Sequence, residues 1–143
     1  MSIREAYQSG GSFGDVGGAE RPHQFASTST VTPYKLLPGL AARAVHGERV
    51  TLAVVDLAPG LVMAPHQHVN EQIGVVVRGE MLFTVGGEPR RRVAGDMWVI
   101  PPGVPHDVTA GPEGCTVIEC FSPIREDWEG LERGEPGPGS WPE

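Results

Sequence analysis

From Pro33 onward the chain is cut at short intervals by Gly- and Pro-bearing turn signals, and this punctuation limits the fold more than any other feature. The marks are Pro38-Gly39, Gly47-Glu48, Pro59-Gly60, Gly79-Glu80, Gly86-Gly87, Gly95-Asp96 and Pro101-Pro102-Gly103. A spacing of about 8 to 12 residues suits short strands. The stretches between the marks are apolar and often β-branched: Leu40 to His46, Val50 to Leu57, Met63 to His68, Gln72 to Arg78, Met81 to Val85, Met97 to Ile100, His106 to Thr109 and Thr116 to Phe121. Gly79-Glu80 reads as a turn between two strands, and Gly86-Gly87 as the tip of a hairpin. The helical signal is confined to one turn between Glu126 and Glu132. The expected fold is therefore all-β, a barrel or sandwich with little helix.

The domain boundaries follow from composition. Residues 1–30 are rich in Gly and Ser and read as a flexible arm. Within the arm, Gln24 to Thr32 is β-tolerant enough to add to a sheet edge. Residues 31–128 hold the strand pattern, a length suited to one domain with one core. Residues 129–143 are rich in Gly and Pro and are expected to fray. An open sheet edge covered by the Gln24 to Thr32 segment of a second copy predicts a homodimer.

Charge narrows the partners. The formal net charge is −7, and the one basic run, Arg90-Arg91-Arg92, lies beside the Gly-Gly turn, where a solvated hairpin end explains it. No nucleic-acid partner is expected. No apolar run approaches about 18 residues, so no membrane span is expected either. The N-terminus lacks a basic-then-apolar leader, so the expected location is cytoplasmic. Cys115 and Cys120 are five apart, on opposite faces of one strand, and read as reduced packing residues.

Chemistry concentrates between Gly60 and His106. His66 and His68 are two apart, which on a strand places both imidazoles on one face. Gln72 shares that parity if the strand continues without a bulge, whereas Glu71 points the other way. His106 arrives on a separate segment marked by Pro and Gly. An isolated His-x-His is usually exposed surface, but three imidazoles with a polar neighbour make a plausible mononuclear metal site. Imidazole and amide ligands suit one divalent transition metal such as Zn, Ni, Fe, Mn or Co. With four neutral ligands the ion keeps its full double charge, which makes it a strong Lewis acid toward an anionic substrate. Glu119 and Phe121 alternate with Val117 on the last strand, so an inward Glu119 is the leading acid–base candidate. Arg125, just beyond, can hold a substrate carboxylate with two prongs. The structural alternative for Arg125, Glu126 and Asp127 is a surface ion-pair cluster worth little.

These spacings resemble two known motifs. Gly60, His66, His68, Gln72 and Gly79 match the first motif of the cupin superfamily, and Gly95, Pro101, Gly103 and His106 match the second. The first motif usually carries Glu at the Gln72 position, and the second usually ends in Asn where this chain has Ala110. The resemblance implies a jelly-roll β-barrel with one metal in its mouth. Gln72, together with Phe121-Ser122-Pro123-Ile124-Arg125-Glu126-Asp127, is similar to the small pectin-degradation cupins of the KdgF type. That likeness implies opening of the ring of 4,5-unsaturated uronates, with Glu119, Phe121 and Arg125 at the active-site positions. The family's acidic residue is Asp, so Glu119 is one methylene longer. The leading expectation is a metal-dependent, non-redox isomerase or lyase acting on a small carboxylated sugar. The alternatives are a cyclase of polyketides or other small molecules, an Fe(II) dioxygenase, and a non-catalytic metal- or small-molecule-binding cupin.

Overall fold

The structure, a computed structural model, describes residues 22–143. Most of the expected arm therefore lies outside the described residues. Eight strands follow in order: β1 (Tyr34–Leu37), β2 (Leu40–His46), β3 (Thr51–Leu57), β4 (Val62–His66), β5 (Glu71–Val85), β6 (Glu88–Val93), β7 (Met97–Ile100) and β8 (His106–Ser122). Among the described residues one 3₁₀ turn spans Glu126–Trp128. Every strand pairing is antiparallel, in the order β1-β2-β3-β8-β5-β6, with β4 added on β8 and β7 on β5.

The sheet is rolled because β5 and β8 each serve two halves of it. The first half of β5 lies between β7 and the second half of β8; its second half lies between β6 and the first half of β8. Register shifts between Val76 and Arg78, and between Gly79 and Met81, mark the bend. The shifts also change the parity of the strand. Gln72 and Val76 turn inward before the bend. Unbroken alternation would then send Glu80 and Leu82 into the core. The bulges deliver Met81 and Phe83 instead, both buried, and leave Leu82 half exposed. β8 answers with Cys115 and Val117 inward on one side and Val108 and Ala110 on the other. Inward residues of both halves join one core with Leu40, Val55, Leu57 and Ile100.

Four sequence expectations change here. The Gly79-Glu80 signal does not reverse the chain, because Gly79 adopts φ +73 inside a bulge of one 15-residue strand. His106 to Thr109 and Thr116 to Phe121 are likewise two parts of a single 17-residue strand. Gln24 to Thr32 is not a strand. Its hydroxyls bond locally, Ser27 Oγ accepting from Ser29 N at 3.3 Å and Thr30 Oγ1 donating to Ser27 O at 3.2 Å, which favours a turn over a ladder. The C-terminal stretch is pinned rather than frayed. Gly134 N donates to Pro33 O, Arg43 Nε to Gly137 O, and Ser140 N to Asp56 Oδ2. Among the described residues no helix is long and apolar enough to cross a membrane.

The bend makes a testable demand. A Cβ on Gly79 would lie 2.1 Å from Gly114 O, whereas one on Gly87, at φ +82, would meet nothing within 4 Å. Gly87→Ala is expected to cost only backbone strain, about 1–3 kcal/mol. Gly79→Ala should cost clearly more. Urea denaturation of the two variants tests this, and equal losses would refute the close approach.

Candidate functional site

The rolled sheet encloses a cavity of about 470 Å³, and His66, His68, Gln72, His106, Glu119, Phe121 and Arg125 all line it. His66 closes β4 and His106 opens β8, directly opposite each other in the ladder, with ring centroids 4.2 Å apart. His68 lies beyond the end of β4, so the shared strand face expected for His66 and His68 does not exist. The loop brings the His68 ring to 5.0 Å from that of His106. Gln72 turns inward as the second residue of a new strand, opposite Phe121 and Ile100, while Glu71 is exposed. Glu119 sits between Ala53 and Gly74 in the ladder.

Each imidazole has its tautomer set by the backbone. His66 Nδ1 lies 2.9 Å from Ala64 O, His68 Nδ1 3.0 Å from Asn70 O, and His106 Nδ1 2.9 Å from Val104 O. A carbonyl only accepts, so each Nδ1 carries the proton and each Nε2 keeps its lone pair. Burial holds His106 down to about 4, and burial followed by the Arg125 charge lowers His68, so both rings are neutral near pH 7. His106 Nε2 is buried with no hydrogen-bond partner. Such an orphaned lone pair is costly unless something electropositive meets it.

Gln72 links the rings to the carboxylate. Its Nε2 donates to Glu119 Oε1 at 2.8 Å, and its Oε1 stands 3.0 Å from His68 Nε2. With His68 protonated on Nδ1, the latter contact sets two lone pairs face to face. A cation within reach of both relieves the repulsion. Without one, turning the amide over and protonating Glu119 satisfies the same groups. Burial raises Glu119 to about 7, against the opposing pull of Arg125 and the Gln72 bond. Among the described residues, no three His, Cys, Asp or Glu side chains form a ready-made coordination cluster. The imidazoles are thus gathered but not closed on one point. Their tautomers, the orphaned His106 Nε2 and the Gln72 oxygen nevertheless fit a divalent ion in chemistry.

Arg125 makes the ion pair with Asp127 that the sequence offered as its structural alternative. Its Nε and Nη2 both donate to the Asp127 carboxylate, at 2.9 and 2.7 Å, so that edge of the fork already holds a carboxylate. The guanidinium stands over the neighbouring Phe121 and Trp128 rings, 4.8 and 4.7 Å from their centroids. Sequence reasoning missed the residues that anchor this segment. Thr51, fully buried, accepts from Arg125 N at 2.9 Å and bonds His46 Nδ1 at 2.8 Å, and His46 Nε2 meets Tyr34 Oη at 2.9 Å. Asn70, also buried, donates to Pro123 O and Ile124 O at 2.6 and 3.2 Å, while its own carbonyl holds His68. It ties the loop of His68 to the segment of Arg125. Asn70 stands in a polar stretch with His68, Glu71 and Gln72, and Thr51 begins an apolar strand, so neither gave a sign of this.

Comparison with known proteins agrees with this architecture. The cupin domain family matches residues 53–121. The pectin degradation protein KdgF of Dickeya dadantii (strain 3937) is 32% identical over 78 residues, covering 54% of this chain and 71% of that protein. The solved structure of KdgF from Halomonas sp. superposes with a TM-score of 0.62 at 34% identity, covering 66% of this chain and 88% of that one. An RmlC-like cupin from Shewanella frigidimarina NCIMB 400 gives a TM-score of 0.68 at 27% identity, covering 74% and 96%. The rolled antiparallel sheet, the matched domain and these relatives establish that the chain belongs to the cupin family, as a small jelly-roll cupin similar to KdgF.

Proposed function

We propose that the protein is a metal-dependent isomerase that opens the ring of a 4,5-unsaturated uronate. The observation that carries this reading is the Gln72 amide, which joins the imidazole group to a half-buried acid on the wall of one cavity. The likeness to a pectin degradation protein supports the substrate class. His66, His68, His106 and Gln72 would hold the ion, one of Zn, Ni, Fe, Mn or Co. When bound, it supplies Lewis-acid polarisation of a substrate oxygen.

The remaining work falls to the chain's own groups. Opening a cyclic hemiacetal of this kind is an isomerisation. The anomeric hydroxyl loses its proton and becomes a carbonyl, the bond from C1 to the ring oxygen breaks, and the released enol becomes a ketone when C4 takes up a proton. Glu119 can receive the first proton and return one to C4, because burial keeps its proton affinity near neutrality. Arg125 holds the substrate carboxylate, steadied by the two rings it stands over, and Asp127 yields to or shares with it. Phe121, Val117 and Val55 make a dry wall that strengthens these charged contacts.

Elemental analysis of purified protein should give one divalent ion per chain, removable with a chelator together with activity. Glu119→Gln should lose about 100- to 10,000-fold in turnover of unsaturated uronate monomers with metal content intact. Gln72→Ala should lower both. Near-normal turnover by Glu119→Gln removes that residue from the proton path.

The arginine gives an independent test. Arg125→Lys should raise KM, because one ammonium does not replace a planar fork. Asp127→Ala should lower KM by freeing that fork. A KM unchanged in both variants places the substrate carboxylate elsewhere. Oxygen consumption with turnover would replace the isomerase with a dioxygenase, and metal-dependent binding without turnover would leave a binding protein.

A further inference from the structure

The walls of the cavity change character in one step along the strands. His66 and His106 face each other across β4 and β8, and the next inward pair of that ladder is Met63 and Val108. On the opposite wall Glu119 lies beside Ala53, and two residues along Val117 lies beside Val55. Two residues of strand span about 7 Å. Beyond this tier Leu40, Leu57 and Met81 carry the lining on. All seven side chains of the two tiers that line the cavity are hydrocarbons or thioethers.

The same character reaches the outside. β1 pairs with β2 and β4 with β8, and among the described residues no ladder joins β1 to β4. Leu36 and Leu37 of β1 and Met63 and Ala64 of β4 line the cavity from the two sides of this seam. Leu131, just past the 3₁₀ turn, lines it too. Leu37 is 44% exposed, so the seam meets solvent.

Two arguments decide what such a space takes. Protein interiors leave few voids larger than a water molecule, so an opening of about 470 Å³ is no packing flaw. It has the size of a small-molecule site. A hydroxyl carried into the apolar tiers would lose its water and gain no partner. A wholly apolar guest would strip water from Arg125 and the imidazoles and return nothing. The guest must therefore have a charged head and an apolar arm.

We propose that the cavity is a two-part site for an amphipathic carboxylic acid. Its carboxylate lies at the Arg125 and imidazole end, and a hydrocarbon arm of several carbons runs along the apolar tiers and the seam. The assignment rests on Arg125 as the holder of the carboxylate. It goes beyond the uronate, whose hydroxyl-bearing ring suits only the polar end. Asp127 already takes one edge of the guanidinium, so burial of the arm sets the affinity.

Isothermal titration of the full-length protein with butanoate, hexanoate and octanoate tests this. Each methylene should tighten binding about 3- to 4-fold, with one acid bound per chain. Octan-1-ol has the arm without the carboxylate, and glucuronate the carboxylate without the arm. Each should bind roughly tenfold or more weakly than octanoate. Leu36→Asn at the seam and Val108→Thr in the tier beyond the histidines should weaken octanoate several-fold more than butanoate. Affinity that does not rise from butanoate to octanoate overturns the proposal, as does absence of binding by all three acids. So does octan-1-ol binding as tightly as octanoate, or octanoate binding unchanged in both variants. Uronate turnover separates the two readings. Turnover with no dependence of binding on chain length removes the arm site alone. Binding that follows chain length, without uronate turnover, removes the uronate isomerase alone.

Discussion

The backbone approach of Gly79 to Gly114 is the constraint on which the rest of the molecule depends. Here β5 and β8 pass together from one half of the sheet to the other. A side chain at Gly79 would hold the strands apart, and the bulges beside it would lose their register. Without those bulges Met81 and Phe83 would leave the core, and the cavity they line would lose its floor. Motif glycines of this kind act on the chemistry only through the shape of the chain.

On that frame the site is an arrangement of acceptors. Three imidazoles are locked by their own backbone into the tautomer that offers a lone pair, and one amide is steered by Glu119. Such a set is uncomfortable by itself, because the buried His106 Nε2 lacks a donor and the Gln72 oxygen faces another lone pair. The discomfort is a form of preorganisation. The protein has met the cost of turning lone pairs inward during folding, so none of it falls on the binding step.

Much of this was legible in the sequence, and the failures have physical causes. Turn signals located the strands, but the same glycine supports a reversal or a bulge, and only the partner strand decides which. Gly79 therefore reads as a turn in the sequence, while β8 continues past it as one strand. His66, His68, Gln72 and His106 were identified by spacing, although the reason given for His68 failed because the strand stops two residues earlier. Glu119, Phe121 and Arg125 were placed by alternation along β8 and by likeness to a family. Asn70, Thr51 and His46 were invisible because their roles depend on contacts across the fold, up to 74 positions apart in the chain. The competition of Asp127 for Arg125 was local, two residues away, but its geometry required the Phe121 and Trp128 rings to hold the guanidinium in place.

That competition has a consequence for selectivity. Asp127 is tethered next to the guanidinium, so it acts as a carboxylate present at high effective concentration. On the proposed reading, acetate, formate and other simple acids would face a resident rival and gain too little elsewhere to displace it. A molecule that also reaches the imidazole end of the cavity has a second foothold and can outbid the tether. Under the proposed function the pair would work as a sieve, passing over a carboxylate alone and admitting one only as part of a larger, correctly shaped ligand.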